Sequence, residues 1–204
     1  MSNILSLSKG QKLNLSKDVG ISKAKIGLGW KQKAYATQQD FDLDASIFVL
    51  QEDPSTQFGR VLSKAPASEG WICFYNQQKL PNDCVVHSGD NKTGGSVGND
   101  EEVTVDFNRL PAEASRVVVI VTIHDAIARK QNFGQIESAH AKLYNENGSE
   151  LASYQLDEIA SVATAMVFVE FKKNSGGDWI MQAVGEGSND GLESFCRKYK
   201  VPGF

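Results

Sequence analysis

Cysteine is scarce in this sequence, with three residues in 204, at positions 73, 84 and 196. An odd number of widely spaced cysteines excludes a disulfide framework, and no two of them have the spacing of a zinc site. We therefore expect Cys73, Cys84 and Cys196 to be small buried hydrophobic residues.

An excess of positive charge and long apolar runs are also lacking. The chain has 21 Lys and Arg against 25 Asp and Glu, a net charge of −4, so it carries no positive field for phosphate backbones or anionic lipid. No stretch stays apolar for long enough to span a bilayer, and residues 1–7 have no signal-peptide pattern. We therefore expect no nucleic-acid partner, no direct membrane insertion and a cytoplasmic location.

What is present is a succession of short segments in which apolar and polar residues alternate, as they do in β-strands. Residues 5–15 alternate about a Lys-Gly-Gln break, which fits a hairpin or two short strands. Residues 24–30 continue the alternation with Gly27 and Gly29 on one face, where another backbone or a large side chain should approach closely. Residues 116–123 are nearly all β-branched, which predicts a central strand covered on both faces.

Turns and one helix complete the predicted fold. Residues 145–148 and 174–177 are typical of hairpin turns. Four apolar residues near the end have helical spacing, with Asp190 and Glu193 placed as a capping box: Leu192, Phe195, Cys196 and Tyr199. The prediction is an all-β protein, a two-sheet antiparallel β-sandwich with a C-terminal helix, in which residues 1–204 form a single domain.

A polar, glycine-rich segment, residues 88–102, carries carboxylates at both ends and has almost nothing to bury. Its glycines allow carbonyl oxygens to turn inward beside Asp90, Asp100 and Glu101, which is the ligand type that calcium requires. An EF-hand is excluded, because Asp90 at position one of such a loop puts Lys92 and Gly94 where side-chain oxygens are needed. The other interpretation is an ordinary solvated turn.

Two further acids, Asp42 and Asp44, share one face at the start of the predicted strand 41–51, whose far end is apolar. Carboxylates on alternate strand positions repel each other unless a cation lies between them. The alternative is that both side chains point into bulk water. If the strand ends gather at one rim of the sandwich, these acids and the glycine-rich segment lie there together.

His124 and Asp125 follow the central strand and could be read as parts of a catalytic triad. No strained Gly-x-Ser-x-Gly elbow occurs in the chain, and adjacent residues on a strand end should point in different directions. We therefore predict a non-enzymatic protein, in which the ring nitrogens of His124 satisfy backbone groups.

The order of several short motifs resembles the TerD family of bacterial tellurium-resistance and chemical-stress proteins. The motifs are Leu-Ser-Lys-Gly (7–10), Gly-Leu-Gly-Trp (27–30), Phe-Asp-Leu-Asp-Ala-Ser (41–46), Phe-Tyr-Asn (74–76), His-Ser-Gly-Asp-Asn-Lys-Thr-Gly (87–94), Ile-His-Asp-Ala (123–126), Phe-Gly-Gln (133–135), Thr-Ala-Met-Val-Phe (164–168) and Ala-Val-Gly-Glu-Gly (183–187). The resemblance implies a calcium-binding β-sandwich without an established enzymatic activity. It also implies partners among the proteins of the same tellurium-resistance and stress system.

Carried over by position, the resemblance implies six metal-site residues: Asp42, Asp44, Asp90, Asn91, Asp100 and Glu101. The chain departs from the family pattern at Lys31, Gly95, Val97 and Asn99, where carboxylates are usual. Because calcium affinity depends on the number of charged ligands, zero, one or two calcium sites are compatible with these losses. One hypothesis is that the Lys31 ammonium replaces a missing ion by pairing with Asp42, Asp90 or a neighbouring acid. The alternative function is a small-molecule sensor that binds a cyclic nucleotide or an oxyanion.

Overall fold

Two β-sheets face each other across a shared apolar core in the computed structural model, which describes residues 4–32, 41–62, 70–89, 99–156 and 162–204. The described part of sheet 1 contains, in spatial order, β1 (Leu5–Leu7), β11 (Glu150–Gln155), β10 (Ile136–Tyr144), β3 (Lys23–Gln32), β8 (Glu101–Asp106) and β7 (Val85–His87). The described part of sheet 2 contains β2 (Lys12–Asn14), β13 (Trp179–Ser188), β12 (Ala165–Lys173), β9 (Ala114–Ile123), β4 (Leu43–Asp53) and β5 (Thr56–Val61), with β6 (Ile72–Cys73) also paired to β4. The predicted all-β sandwich is confirmed.

The pairings are antiparallel apart from β1, which runs parallel to β11. The turns at 145–148 and 174–177 join β10 to β11 and β12 to β13, as predicted. Within residues 5–15, however, β1 and β2 enter different sheets, so this segment is two short strands that cross the edge of the sandwich rather than a hairpin.

The central strand is β9, which lies between β4 and β12 and is almost fully buried. Its inward side chains pack in the core between the sheets, while Val118 and Ile120 face outward. The outward face is covered by α2 (Gly191–Lys198), whose Phe195 and Cys196 pack against that apolar surface together with Tyr199. The helix therefore explains why the β-branched run is buried on both faces.

The predicted capping box was wrong. The Asp190 carboxylate accepts no N–H of α2, and the hydroxyl oxygen of Thr164 accepts the N–H of Gly191 at 3.1 Å. Within the apolar run 71–75, the strand is Ile72–Cys73, and Tyr75 is exposed. A short helix, α1 (Ala126–Arg129), follows β9. No helix in the described ranges has the length and apolar character that crossing a membrane requires.

Candidate functional site

Several strand ends meet at one rim of the sandwich. The start of β4 pairs with the end of β9 through Leu43 and Ile123, and the start of β8 pairs with β3 through Glu101 and Leu28. The N–H of His124 donates to the carbonyl of Asp42 at 2.8 Å. The second end of the glycine-rich segment and the acidic strand start therefore lie at the same end of the fold.

Glu101 connects the two sheets at this rim. Its side chain leaves the inward face of β8 and is 1% exposed. One carboxylate oxygen, Oε2, accepts the N–H of Ala45 on β4 at 2.8 Å. The other oxygen, Oε1, is buried and accepts no hydrogen bond from any described residue. A buried carboxylate oxygen without a donor is costly, so this atom needs a positive or hydrogen-bonding partner.

His87 faces the same carboxylate from β7, and its side chain is fully buried. Its Nδ1 accepts the N–H of Gly89 at 3.0 Å, so the neutral ring carries its proton on Nε2. Nε2 lies 3.4 Å from Oε2 of Glu101. Nε2 has no hydrogen-bond partner among the described residues, so the ring lies close to the carboxylate without bonding it, and Oε1 gains no donor from His87.

Asp100 is hydrogen-bonded to the end of β3. Its N–H donates to the carbonyl of Leu28 at 2.7 Å, and its Oδ2 accepts the N–H of Trp30 at 2.9 Å. The Trp30 indole in turn donates to the carbonyl of Phe41 at 3.3 Å. These bonds fix the position of Asp100 beside Glu101 and join the start of β8 to the chain that enters β4.

Asn99 has a structural role that the motif comparison missed. Its side chain lies directly over Gly27, on the outer face of sheet 1. Its Nδ2 donates to Glu102 at 2.9 Å, and its Oδ1 accepts from the Tyr144 hydroxyl at 3.2 Å. The sequence signal was the glycine on an otherwise ordinary strand, which correctly predicted a close approach but not the residue that makes it.

Asp44 lies on the opposite face of sheet 2 from the core. Alternation along β4 directs Ala45 into the core between the sheets, so Asp44 and Ser46 face outward. Oδ2 of Asp44 is 3.6 Å from Nδ1 of His124, and Nε2 of His124 is 3.4 Å from Asp125. The prediction that His124 and Asp125 point apart was therefore wrong, and the ring nitrogens of His124 face carboxylates rather than backbone groups.

Lys31 does not pair with Asp42 in the described residues. Its Nζ lies 2.9 Å from Oε1 of Glu137 on the neighbouring strand β10, and the Lys31 side chain is 66% exposed. The observed pair is a solvated cross-strand contact, and it leaves the hypothesised pairing of Lys31 with Asp90 untested. Asp90, Asn91, Gly95 and Val97 lie outside the described residues.

The described residues alone do not complete a metal site. Among them, no group of three or more His, Cys, Asp and Glu is arranged to hold a metal ion. The arrangement they do provide is a rim where the buried Glu101 and the nearly buried Asp100 lie next to the glycine-rich segment. Any cation held by the uncoordinated Oε1 of Glu101 would need further oxygens from outside this part of the chain.

Comparisons with known proteins agree on the family. A family model described as "TerD domain" matches residues 4–199. The chain is 40% identical over 197 residues to "General stress protein 16U" of Bacillus subtilis (strain 168), covering 96% of each chain. It is 39% identical over 199 residues to "Tellurium resistance protein TerD" of Serratia marcescens, covering 97% of each. The crystal structure of a homologue of telluride resistance protein (TerD) from Streptomyces coelicolor A3(2) has the same fold, with a TM-score of 0.66 at 21% identity over 86% of this chain and 95% of that one.

Proposed function

The chain belongs to the TerD domain family of tellurium-resistance and stress-response proteins, and from this we propose that it is a non-enzymatic, calcium-binding module that presents a surface to partner proteins. The partners would be other proteins of the same system. The calcium would be structural, and it would order the glycine-rich segment 88–102.

The observation that supports calcium is the free oxygen of Glu101. This carboxylate is nearly inaccessible, one oxygen is held by the Ala45 N–H, and Oε1 accepts no hydrogen bond from any described residue. Calcium prefers carboxylate and carbonyl oxygens on flexible loops, and the adjoining segment supplies both types. A buried anion next to that segment is what a bound divalent cation would stabilise.

The residues fit calcium unequally. Glu101 would hold the ion directly, and Asp100, the preceding residue, would contribute its carboxylate. Asp90 and Asn91 would contribute from the first part of the segment, and Asp42 from the adjoining chain. Asp44 faces His124 on the outer side of sheet 2, so we assign it a weaker part. When bound, calcium would supply positive charge and cross-link the loop to the strand ends.

Thermal unfolding in calcium and in chelator tests the proposal. Occupancy of a site at 100 times its Kd stabilises by about 2.7 kcal/mol, which is about 5–10 °C in Tm for a domain of this size. We expect Tm of the wild type to rise by this order in millimolar calcium. Glu101→Gln should abolish the rise, because it replaces one ligand oxygen with an amide nitrogen and removes the charge.

Glu102→Gln is the matched control. Glu102 is the adjacent acid, but it faces outward and its carboxylate pairs with Lys25 at 3.1 Å. The calcium-dependent rise in Tm should therefore persist in this variant, whatever its basal stability. Absence of any calcium response in the wild type, confirmed by calorimetric titration, would refute the proposal.

The rival function, a sensor for a cyclic nucleotide or an oxyanion, gains no support from the cavity of about 610 Å³ on the outer face of sheet 2. That cavity is lined by Asp44, Asp125 and Asp190, no Lys or Arg is among its described lining residues, and such a lining repels anions. Another cavity, of about 500 Å³ beside the β10–β11 turn, is lined by Lys23 and Lys25 but also by the carboxylate residue Glu146.

A further inference from the structure

A cavity of about 610 Å³, which we call the outer cavity, lies on the outer face of sheet 2. It is bounded by the start of β4, the end of β9, α1 and the start of α2. Its lining residues include Ser46, Thr122, His124 and Leu192. Its volume is within the range of sites that take small molecules, about 300–1,000 Å³. The cavity is separate from the Glu101 carboxylate, which faces the core side of sheet 2.

An apolar extension adjoins the outer cavity. A second cavity of about 350 Å³ shares Ser46, Phe74 and Leu192 with it and continues under α2. Phe48, Ile72 and Cys196 line this second space. The two spaces together form a groove that is polar at one end and apolar at the other.

The polar end is negatively charged. Asp44, Asp125 and Asp190 line it, and His124 is the one basic side chain among its described lining residues. The Asp190 carboxylate makes no cap bond to α2, and the N–H of Gly191 donates to the Thr164 hydroxyl. The field in this part of the groove therefore favours a cation.

Ser46 is the independent sign of a missing ligand. It is 3% exposed, and no described residue forms a hydrogen bond with its hydroxyl. The two threonine hydroxyls of the lining are engaged, since Thr122 bonds the carbonyl of Asp44 at 3.4 Å and Thr164 bonds Gly191. The Ser46 hydroxyl lines both cavities without a partner among the described residues, so it is available to bond a polar group of a molecule bound in the groove.

From this geometry we propose that the outer cavity binds a small organic cation, with an ammonium group among Asp44, Asp125 and Asp190 and the Ser46 hydroxyl, and an apolar body directed towards Phe74 and Leu192. The inference shares only Asp44 with the calcium proposal and does not depend on Glu101 or the glycine-rich segment. A small molecule fits the groove, because the volumes of its two cavities, about 610 and 350 Å³, are those of small-molecule sites.

The probe is phenethylammonium, compared with the neutral 2-phenylethanol and the anionic 3-phenylpropionate. NMR titration of the full chain, in chelator and again in calcium, should show saturable shifts at residues 44–48, 122–126 and 190–192 with the cation alone. The double variant Asp125→Asn/Asp190→Asn should weaken binding about tenfold, as loss of two partly solvated charge contacts implies. Ser46→Ala should weaken it about fivefold, the size of one lost hydrogen bond.

Glu146→Gln, in the β10–β11 turn of the other sheet, is the charge-matched control and should leave the affinity unchanged. Glu101→Gln should also leave it unchanged, which separates this site from the calcium site. Circular dichroism checks that each variant is folded. If the double variant is unfolded, the single variant Asp125→Asn, at the exposed start of α1, replaces it in the titration. Equal binding of 2-phenylethanol, absence of saturable binding by the cation, or binding of a basic peptide without binding of the amine would each overturn the proposal.

Discussion

Replacing Gly27 with alanine tests how Asn99 anchors the end of the glycine-rich segment. A Cβ atom on residue 27 would lie 2.1 Å from Nδ2 of Asn99 and 2.2 Å from its Cγ, which is far inside van der Waals contact. The φ of Gly27 is not in the left-handed region, so the backbone itself accepts alanine. The substitution therefore acts through the Asn99 side chain.

The expected cost follows from the two hydrogen bonds that Asn99 must give up, to Glu102 at 2.9 Å and from Tyr144 at 3.2 Å. A neutral bond contributes about 0.5–1.5 kcal/mol and one to a charged group about 1.5–3 kcal/mol; because water reaches both bonds, we take the low end, about 2 kcal/mol. Alanine in place of glycine raises the free energy of unfolding by about 0.5–1 kcal/mol, because it lowers the conformational entropy of the unfolded chain. The net loss is about 1–1.5 kcal/mol, or about 2–6 °C in Tm for this chain length.

A double-mutant cycle measured by urea unfolding in chelator isolates the contact. Gly27→Ala should destabilise the wild type, whereas in the Asn99→Ala background it should be neutral or slightly stabilising, because the clash is gone. An equal cost in both backgrounds would show that alanine meets something other than Asn99. A Gly27→Ala variant as stable as the wild type would refute the reasoning outright.

Two further predictions concern Lys31 and the cysteines. Lys31→Ala should change the free energy of unfolding by about 0.5 kcal/mol or less and leave the calcium response intact, because an exposed pair with Glu137 contributes little; a large loss would revive its role as a metal substitute. Burial raises the pKa of Cys73 to about 12 and that of Cys196 to about 11, and it also raises the pKa of Cys84. At pH 8 all three thiols should therefore react with DTNB only after unfolding in guanidinium, and rapid labelling of the native chain would contradict this.

Structural features that depend only on residues close together in the sequence could be predicted from it. In three features, local propensity and hydrophobic periodicity indicate the same structure. These features are the β-branched run of β9, the two glycine-containing turns and the apolar face of α2. Alternation also placed Asp42 and Asp44 at the start of a strand and gave Gly27 a close neighbour. These predictions hold because the period of a strand or a helix is fixed by its own backbone.

The tertiary structure decided which side chains meet. Glu101 reaches Ala45, 56 positions earlier in the chain, and Asp44 turns away from it towards His124 on the outer face of sheet 2. Thr164 rather than Asp190 caps α2, and Asn99 packs on Gly27 instead of standing among the predicted ligands. Alternation along a strand assigns side chains to two faces, but it does not identify the residues that pack on either face. Those residues depend on which distant strands become neighbours when the two sheets pack around one core.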